Sequence, residues 1–265
     1  MNAVASLAQD EALSRIRLLR SPHVGPISYL QLLRRFGTAQ AALEALPDLA
    51  ARGGRGYRPA PRDAVEAEID AVRAAGARYL FHDAPCYPEL LGRLEGAPPI
   101  LTVRGQVSLA SRPGVAIVGA RNASAVAVKL ARDFAHALAA EGFAVVSGLA
   151  RGIDGAAHQG ALPSTIAVIA SGIDIAYPPQ HAELQERIAT EGLLIAEQPP
   201  GTEPRGSHFP SRNRIIAGLA FGTVVVEAAP RSGSLITARL AGEAGREVWR
   251  FPAARSTRAA TAATS

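Results

Sequence analysis

From Val115 onward, short unbroken apolar runs alternate with amphipathic stretches. The runs cover 115–119, 143–147, 165–170, 193–196, 223–227 and 247–251, and each predicts a strand. In the interval after the first run, Val126, Leu130, Phe134 and Leu138 form one apolar stripe at helical spacing, with Ser124 as N-cap and Gly142 as stop. Strands without polar alternation, separated by helices, belong to a parallel sheet covered on both faces. The expected fold class is therefore α/β, a doubly wound, mostly parallel Rossmann-like sheet. The pattern over 11–46 differs. Ile16, Leu19, Ile27, Leu30, Leu33 and Phe36 recur at helical spacing, with tight connections at Val24-Gly25-Pro26-Ile27 and Gly37-Thr38, and Pro47 closing the run. A helix over 62–75 then leads to short strands at 79–81 and 101–103. The expected organisation is a small all-helical domain over 1–50, a linker over 51–63, an extended Rossmann-like domain over 64–252 and a disordered tail over 253–265. The linker reads ARGGRGYRPAPRD and has no periodicity, while the tail is Ala, Thr, Ser and Arg.

Composition narrows the classes. With 48% apolar and 19% charged residues, the 265-residue chain has the make-up of an ordinary globular protein. Cys86 is the single cysteine, which excludes a disulfide framework and a cysteine zinc site. No apolar run approaches the roughly 20 residues a membrane span needs, and Met1 to Asp10 lacks the layout of a signal peptide. A cytoplasmic protein with no membrane contact is expected. The formal charge is +5, nearly all of it arginine, with Lys129 the one lysine.

In doubly wound sheets ligands bind beyond the carboxyl ends of the strands. Here those ends carry Gly119-Ala120-Arg121-Asn122, Ser147-Gly148-Leu149-Ala150-Arg151, Ser171-Gly172, the segment Phe209-Pro210-Ser211-Arg212-Asn213-Arg214 that a long loop delivers to the start of a helix, Glu227, and Ser232-Gly233-Ser234. Glycines let backbone amides approach a ligand, helix N-termini favour anions, and the arginines add fixed positive charge, so a phosphate-bearing ligand is expected. A dinucleotide is excluded: no GxGxxG follows the first strand, and no acidic residue stands at the end of the second. No cofactor is expected. Asp154 and His158, four apart, lack a third metal ligand and read as a capping carboxylate and a hydrogen-bonded imidazole. No Ser, His and Asp arrangement marks a nucleophile, so no catalytic residue is assigned. The segment Val24-Gly25-Pro26-Ile27 either touches a phosphate through its backbone amides or only turns the chain between helices.

The segments VAIVGARNAS (115–124), VVSGLARGIDGAAHQGAL (145–162), TIAVIASGIDIAYPPQH (165–181), FPSRNRIIAGL (209–219) and VVVEAAPRSGSLITARLA (224–241) resemble the DNA-processing protein A family, DprA/Smf. The resemblance implies an extended Rossmann domain behind a helical domain similar to SAM or helix-hairpin-helix modules. It implies sequence-independent single-stranded DNA binding, loading of RecA recombinase during natural transformation, commonly as a homodimer, and no enzymatic activity. By motif, Arg121, Arg212 and Arg214 become DNA contacts; Arg151 joins them on position. The expected nucleic-acid site thus comprises Gly119, Arg121, Ser147, Gly148, Arg151, Gly172, Phe209, Arg212, Asn213, Arg214, Ser232, Gly233 and Ser234, with Glu227 orienting the arginines. Phe209, Tyr177 and His208 are the nearest stacking groups, with a packing role favoured for Tyr177 ahead of Pro178-Pro179. The chain departs from the family after Pro252, where further sheet and dimer elements are expected, which leaves the homodimer open. A second reading is a nucleoside-monophosphate hydrolase of a related Rossmann-like family, with Glu227 as general base.

Overall fold

The computed structural model describes residues 9–51, 57–229 and 232–251. Helices α1 (Gln9–Arg20), α2 (Pro26–Phe36) and α3 (Ala39–Ala51) enclose a small core of Leu18, Tyr29, Ala42, Leu43 and Leu46. Pro47 does not end the helical run: it lies inside α3, which continues to Ala51. A proline removes one backbone donor from a helix; here burial of Leu43 and Leu46 holds the flanking turns in place. The latter half of the expected linker is fastened to α1, since Ala60 N–H donates to Ser21 Oγ (3.0 Å) and Arg17 Nε donates to the Ala60 carbonyl (2.7 Å). Helix α4 (Arg62–Ala74) packs on α1 through Ile16 and Val65 and through the Arg20–Glu68 pair at 2.8 Å.

Strand β1 (Arg78–Phe81), the short α5 (Glu89–Gly92) and β2 (Ile100–Gly105) lead into the main sheet. There follow β3 (Gly114–Gly119), α6 (Ala125–Ala140), β4 (Ala144–Ser147), α7 (Ile153–Ala161), β5 (Thr165–Gly172), α8 (Ala182–Glu191) and β6 (Leu193–Gln198). The rest is α9 (His208–Leu219), β7 (Gly222–Val226), α10 (Gly233–Glu243) and β8 (Glu247–Phe251). The described strands form one sheet in the order β1-β2-β6-β5-β4-β3-β7-β8, parallel from β6 to β8 and antiparallel where β1 and β2 are added. Helices α6, α7 and α8 cover one face, α9 and α10 the other. The expected doubly wound α/β architecture with an N-terminal helical unit is therefore present. Winding reverses between the neighbours β3 and β7, which opens a crevice at their carboxyl ends. Among the described residues no helix is long and apolar enough to cross a membrane.

Helix α6 overturns one expectation. Its buried face is Ala127, Ala131 and Ala135, whereas Val126 and Leu130 are 67% and 39% exposed. The reason is close approach: on α7, a Cβ at Gly160 would lie 2.2 Å from the Arg132 carbonyl oxygen, so only small residues fit between the two helices. Ala131→Leu is expected to cost about 1–3 kcal/mol by overpacking, while Val126→Ser stays within about 0.5 kcal/mol, as read from urea midpoints.

Candidate functional site

The turn after β4 is built by side chains that grip its backbone. Ser147 is fully buried and its Oγ donates to the Ile117 carbonyl at 2.6 Å, so this residue ties β4 to β3 and offers nothing to a ligand. Leu149 adopts φ 57, a conformation a leucine seldom takes without support. The support is visible. Asp154 Oδ2 accepts from the amides of Gly148 (3.1 Å) and Ala150 (3.4 Å), and His158 Nε2 accepts from the Leu149 amide (3.3 Å). His181 Nδ1 lies 3.0 Å from the Leu149 carbonyl. The other nitrogen of His158 sits 2.7 Å from Thr165 Oγ1, which itself donates to the Val145 carbonyl at 3.0 Å, so Nδ1 carries the proton. Asp154 and His158 are thus scaffold residues, and no cluster of three metal-ligating side chains exists among the described residues.

Burial, then the neighbouring His181 and Arg212, push the His158 imidazole from 6.5 down to about 3. The unfolded chain therefore holds one more proton than the native state between those two values, and stability is lost as pH falls through that window. Urea midpoints should drop between pH 6.5 and 4, and His158→Asn should remove that drop. Burial also raises the Asp154 carboxyl, which acts with the opposite sign, so the variant's residual curve tilts the other way.

On the facing element, Phe209, Arg212 and Asn213 occupy the first turns of α9. Arg212 is buried, its Nη1 4.0 Å from Asp154 Oδ2, and its Nε has no hydrogen-bond partner. Burial lowers its pKa to about 10, with the charge of Arg121 acting the same way and Asp154 opposing. Phe209 lies beside both cations: its ring centroid is 5.3 Å from the Arg121 guanidinium carbon, 6.0 Å from that of Arg212, and 5.9 Å from the Tyr177 ring. Gly148 lies directly beneath, where a Cβ would fall 1.2 Å from Arg212 Nη1. That position has room for glycine alone while Arg212 keeps its place.

Two adjoining cavities open from this junction. The first, about 250 Å³, lies among Arg121, Arg151, Tyr177, Gln180, Phe209 and Arg212. The second, about 480 Å³, follows the crevice between β3 and β7 past Gly119, Asn122, Asn213, Ser232, Gly233 and Ser234. Its far wall is the N-terminus of α10, where backbone donors and the helix dipole favour an anion. Gly233 is open there: a Cβ would meet nothing within 4 Å. Ser232 and Ser234 hydroxyls pair at 2.7 Å, and Asn213 Nδ2 donates to the Gly233 carbonyl at 3.3 Å. Gly119 is closed by packing, with Val226 O 2.1 Å from where its Cβ would be.

Several expected residues stand elsewhere. Arg214 donates to the Gly96 carbonyl (3.0 Å) and to Glu197, outside both cavities. The sequence reading treats the arginine run as a loop lining one pocket; in a helix, residues two apart point to opposite sides, so Arg212 and Arg214 diverge. Gly172 also lies outside, packed against the Pro199 carbonyl, and His208 accepts from the Arg205 amide instead of facing the cavities. Glu227 does not orient arginines among the described residues. Its Oε2 accepts from the Ser124 amide (2.8 Å) and hydroxyl (3.0 Å), fixing the residue that caps α6. Conversely Tyr177, favoured as a packing residue, is 40% exposed on the first cavity. Asn122 and Gln180 also line the cavities; both lie inside the family-like segments, but a lone amide side chain carries no charge signal that marks it as a site residue.

Residues 78–265 match the profile of the family described as DNA recombination-mediator protein A, and residues 9–71 match the DprA-like N-terminal HHH domain. The protein Smf of Synechocystis sp. is 44% identical over 182 residues, 66% of this chain and 46% of that protein. The DNA processing protein DprA of Streptococcus pneumoniae is 45% identical over 170 residues, 63% of this chain and 60% of that one. The chain thus spans about half to three fifths of the length of these curated relatives. The solved structure of the Streptococcus pneumoniae DprA superimposes with a TM-score of 0.75 at 32% identity, covering 95% of this chain and 89% of the other. The DNA processing protein A of Helicobacter pylori, described for its unique single-stranded DNA binding mode, gives 0.63 at 30% identity, over 68% of this chain and 82% of that one. The chain belongs to the DNA recombination-mediator protein A family, whose curated members carry the names DprA and Smf.

Proposed function

We propose that the chain binds single-stranded DNA without reading its sequence, along the rim formed by Arg121, Arg151, Phe209, Arg212 and the 232–234 turn, and passes the strand to RecA recombinase in the cytoplasm during DNA uptake. The observation that carries this reading is the ring of Phe209 within about 6 Å of two guanidinium groups at the junction of two cavities. Such a junction supplies what a bare strand needs: cations and backbone amides for phosphates on one side, aromatic faces for an unpaired base on the other. The single-stranded DNA binding described for the Helicobacter pylori relative supports the same substrate. The reading includes a helical unit over 1–50, a linker over 51–63, a DNA-binding unit over 64–252, and assembly as a homodimer.

With Arg121, Arg151 and Arg212 as phosphate contacts, log affinity should fall with log salt at a slope near −2, since each phosphate neutralised contributes about −0.7. Arg121→Ala should flatten that slope by about 0.7 and weaken binding to every homopolymer alike. Fluorescence anisotropy across a salt titration, beside a duplex control, measures both. Equal affinity for duplex, or an unchanged slope, argues against the reading. Sedimentation of the free chain tests the homodimer, and the lag in RecA filament growth on a coated strand tests delivery. The hydrolase alternative requires Glu227 as base, yet that carboxylate is occupied by Ser124 and lines neither cavity. Release of ribose 5-phosphate from any nucleoside monophosphate would favour the enzyme instead.

A further inference from the structure

Arg212 and Arg214 share one helix and one charge but stand on opposite sides of α9. On the side away from the cavities, Arg214 Nη1 donates to the Gly96 carbonyl at 3.0 Å and Nη2 donates to Glu197 Oε1. The two side chains are only 23% and 18% exposed. Gly96 lies in the connection between α5 and β2, where its φ is 70, and Glu197 lies near the end of β6. Four residues beyond Arg214 on the helix, Gly218 backs onto α5 and the turn after it, where an added Cβ would meet Leu94 at 2.5 Å and Leu91 at 2.8 Å. The far side of α9 is thereby anchored at two points along its length.

We propose that Arg214 and Glu197 are positioning residues: their ion pair sets the rotation of α9 and so aims Arg212 and Phe209 into the cavities, with Arg214 itself making no DNA contact. The inference rests on the single-strand reading above and deepens it. A phosphate contact by Arg214 would require it to leave both acceptors, stranding the largely buried Glu197 carboxylate without its cation, a costly arrangement. The planar fork of arginine, reaching a carbonyl and a carboxylate at once, is a geometry that lysine cannot copy.

The two roles predict opposite signs. If Arg214 touched phosphate, deleting Glu197 would free it and tighten binding. If it positions the helix, deleting Glu197 loosens binding. Binding of the full chain to labelled oligothymidylate, followed by anisotropy, is the experiment. Glu197→Ala and Arg214→Ala should each weaken affinity about tenfold, with the log salt slope unchanged. Glu197→Gln keeps the accepting oxygen and should restore most of the affinity, a rescue that charge neutralisation alone would not give. Arg214→Lys keeps the charge but should behave like Arg214→Ala, and it remains informative if an alanine variant fails to fold. Tighter or unchanged binding by Glu197→Ala, parental affinity in Arg214→Lys, or a slope flattened by about 0.7 in Arg214→Ala, overturns the inference. Failure of the unaltered chain to bind oligothymidylate overturns the single-strand reading and the inference with it.

Discussion

Arg212→Ala is expected to weaken strand binding and to destabilise the fold together. The guanidinium is buried opposite Asp154, whose Oδ2 also holds the amides of Gly148 and Ala150. Removing the cation leaves a carboxylate enclosed without its partner, a change that typically costs about 3–5 kcal/mol. It also deletes the donors aimed at the ligand, for a further loss of about 10–100-fold in affinity. The two effects separate with pH. Burial already raises the Asp154 carboxyl and Arg212 restrains that rise, so without Arg212 the carboxyl takes up a proton more readily in the native state. A group whose native pKa is raised stabilises the fold at low pH, so the stability gap between the parent and Arg212→Ala should narrow as pH falls from 7 toward 4. Urea unfolding at several pH values measures the gap. A gap that widens on acidification would show that Asp154 and Arg212 do not act as a pair.

Gly148→Ala should lose binding with a smaller loss of stability. The φ of Gly148 is not left-handed, so alanine is conformationally acceptable there; the conflict is with Arg212, whose Nη1 would lie 1.2 Å from the new methyl, and with Asp154 Oδ2 at 2.9 Å. Arg212 must swing away from its carboxylate into the cavity, and affinity should fall by about tenfold or more. Gly233→Ala is the control, because nothing lies within 4 Å of its added carbon and the fold should be indifferent. If a phosphate seats on the amides opening α10, that methyl will still weaken binding by crowding the ligand. Wild-type affinity in Gly148→Ala would mean that the placement of Arg212 is irrelevant to the site.

Several side chains face directions that their local sequence does not dictate. Val126 and Leu130 belong to the apolar stripe of α6 yet are exposed, while Ala127, Ala131 and Ala135 face the core with Phe134 packed partly buried beside them, because α7 approaches too closely for anything bigger. Arg212 and Arg214 were grouped as a loop, and helix phase separates them. Glu227 was expected to serve arginines and instead serves Ser124, because the chain turns at φ 50 directly after β7 and directs the carboxylate to the start of α6. Tyr177, read as a packing residue ahead of two prolines, does pack, and its partner Phe209 comes from a different element, which also gives it a place on the cavity.

What the chain determines on its own is the succession of strands and helices from β3 to β8 and the collection of glycines, serines and arginines at one rim. Apolar runs too short and too uniform for exposed helices must be buried strands, and parallel strands necessarily bring their following turns to the same end. What only tertiary packing decides is which of those rim residues look inward at a common ligand. That depends on the rotation of α9, on the distance between α6 and α7, and on which carboxylate reaches which cation. Each of these is a contact between residues distant in sequence, and local periodicity holds no record of them.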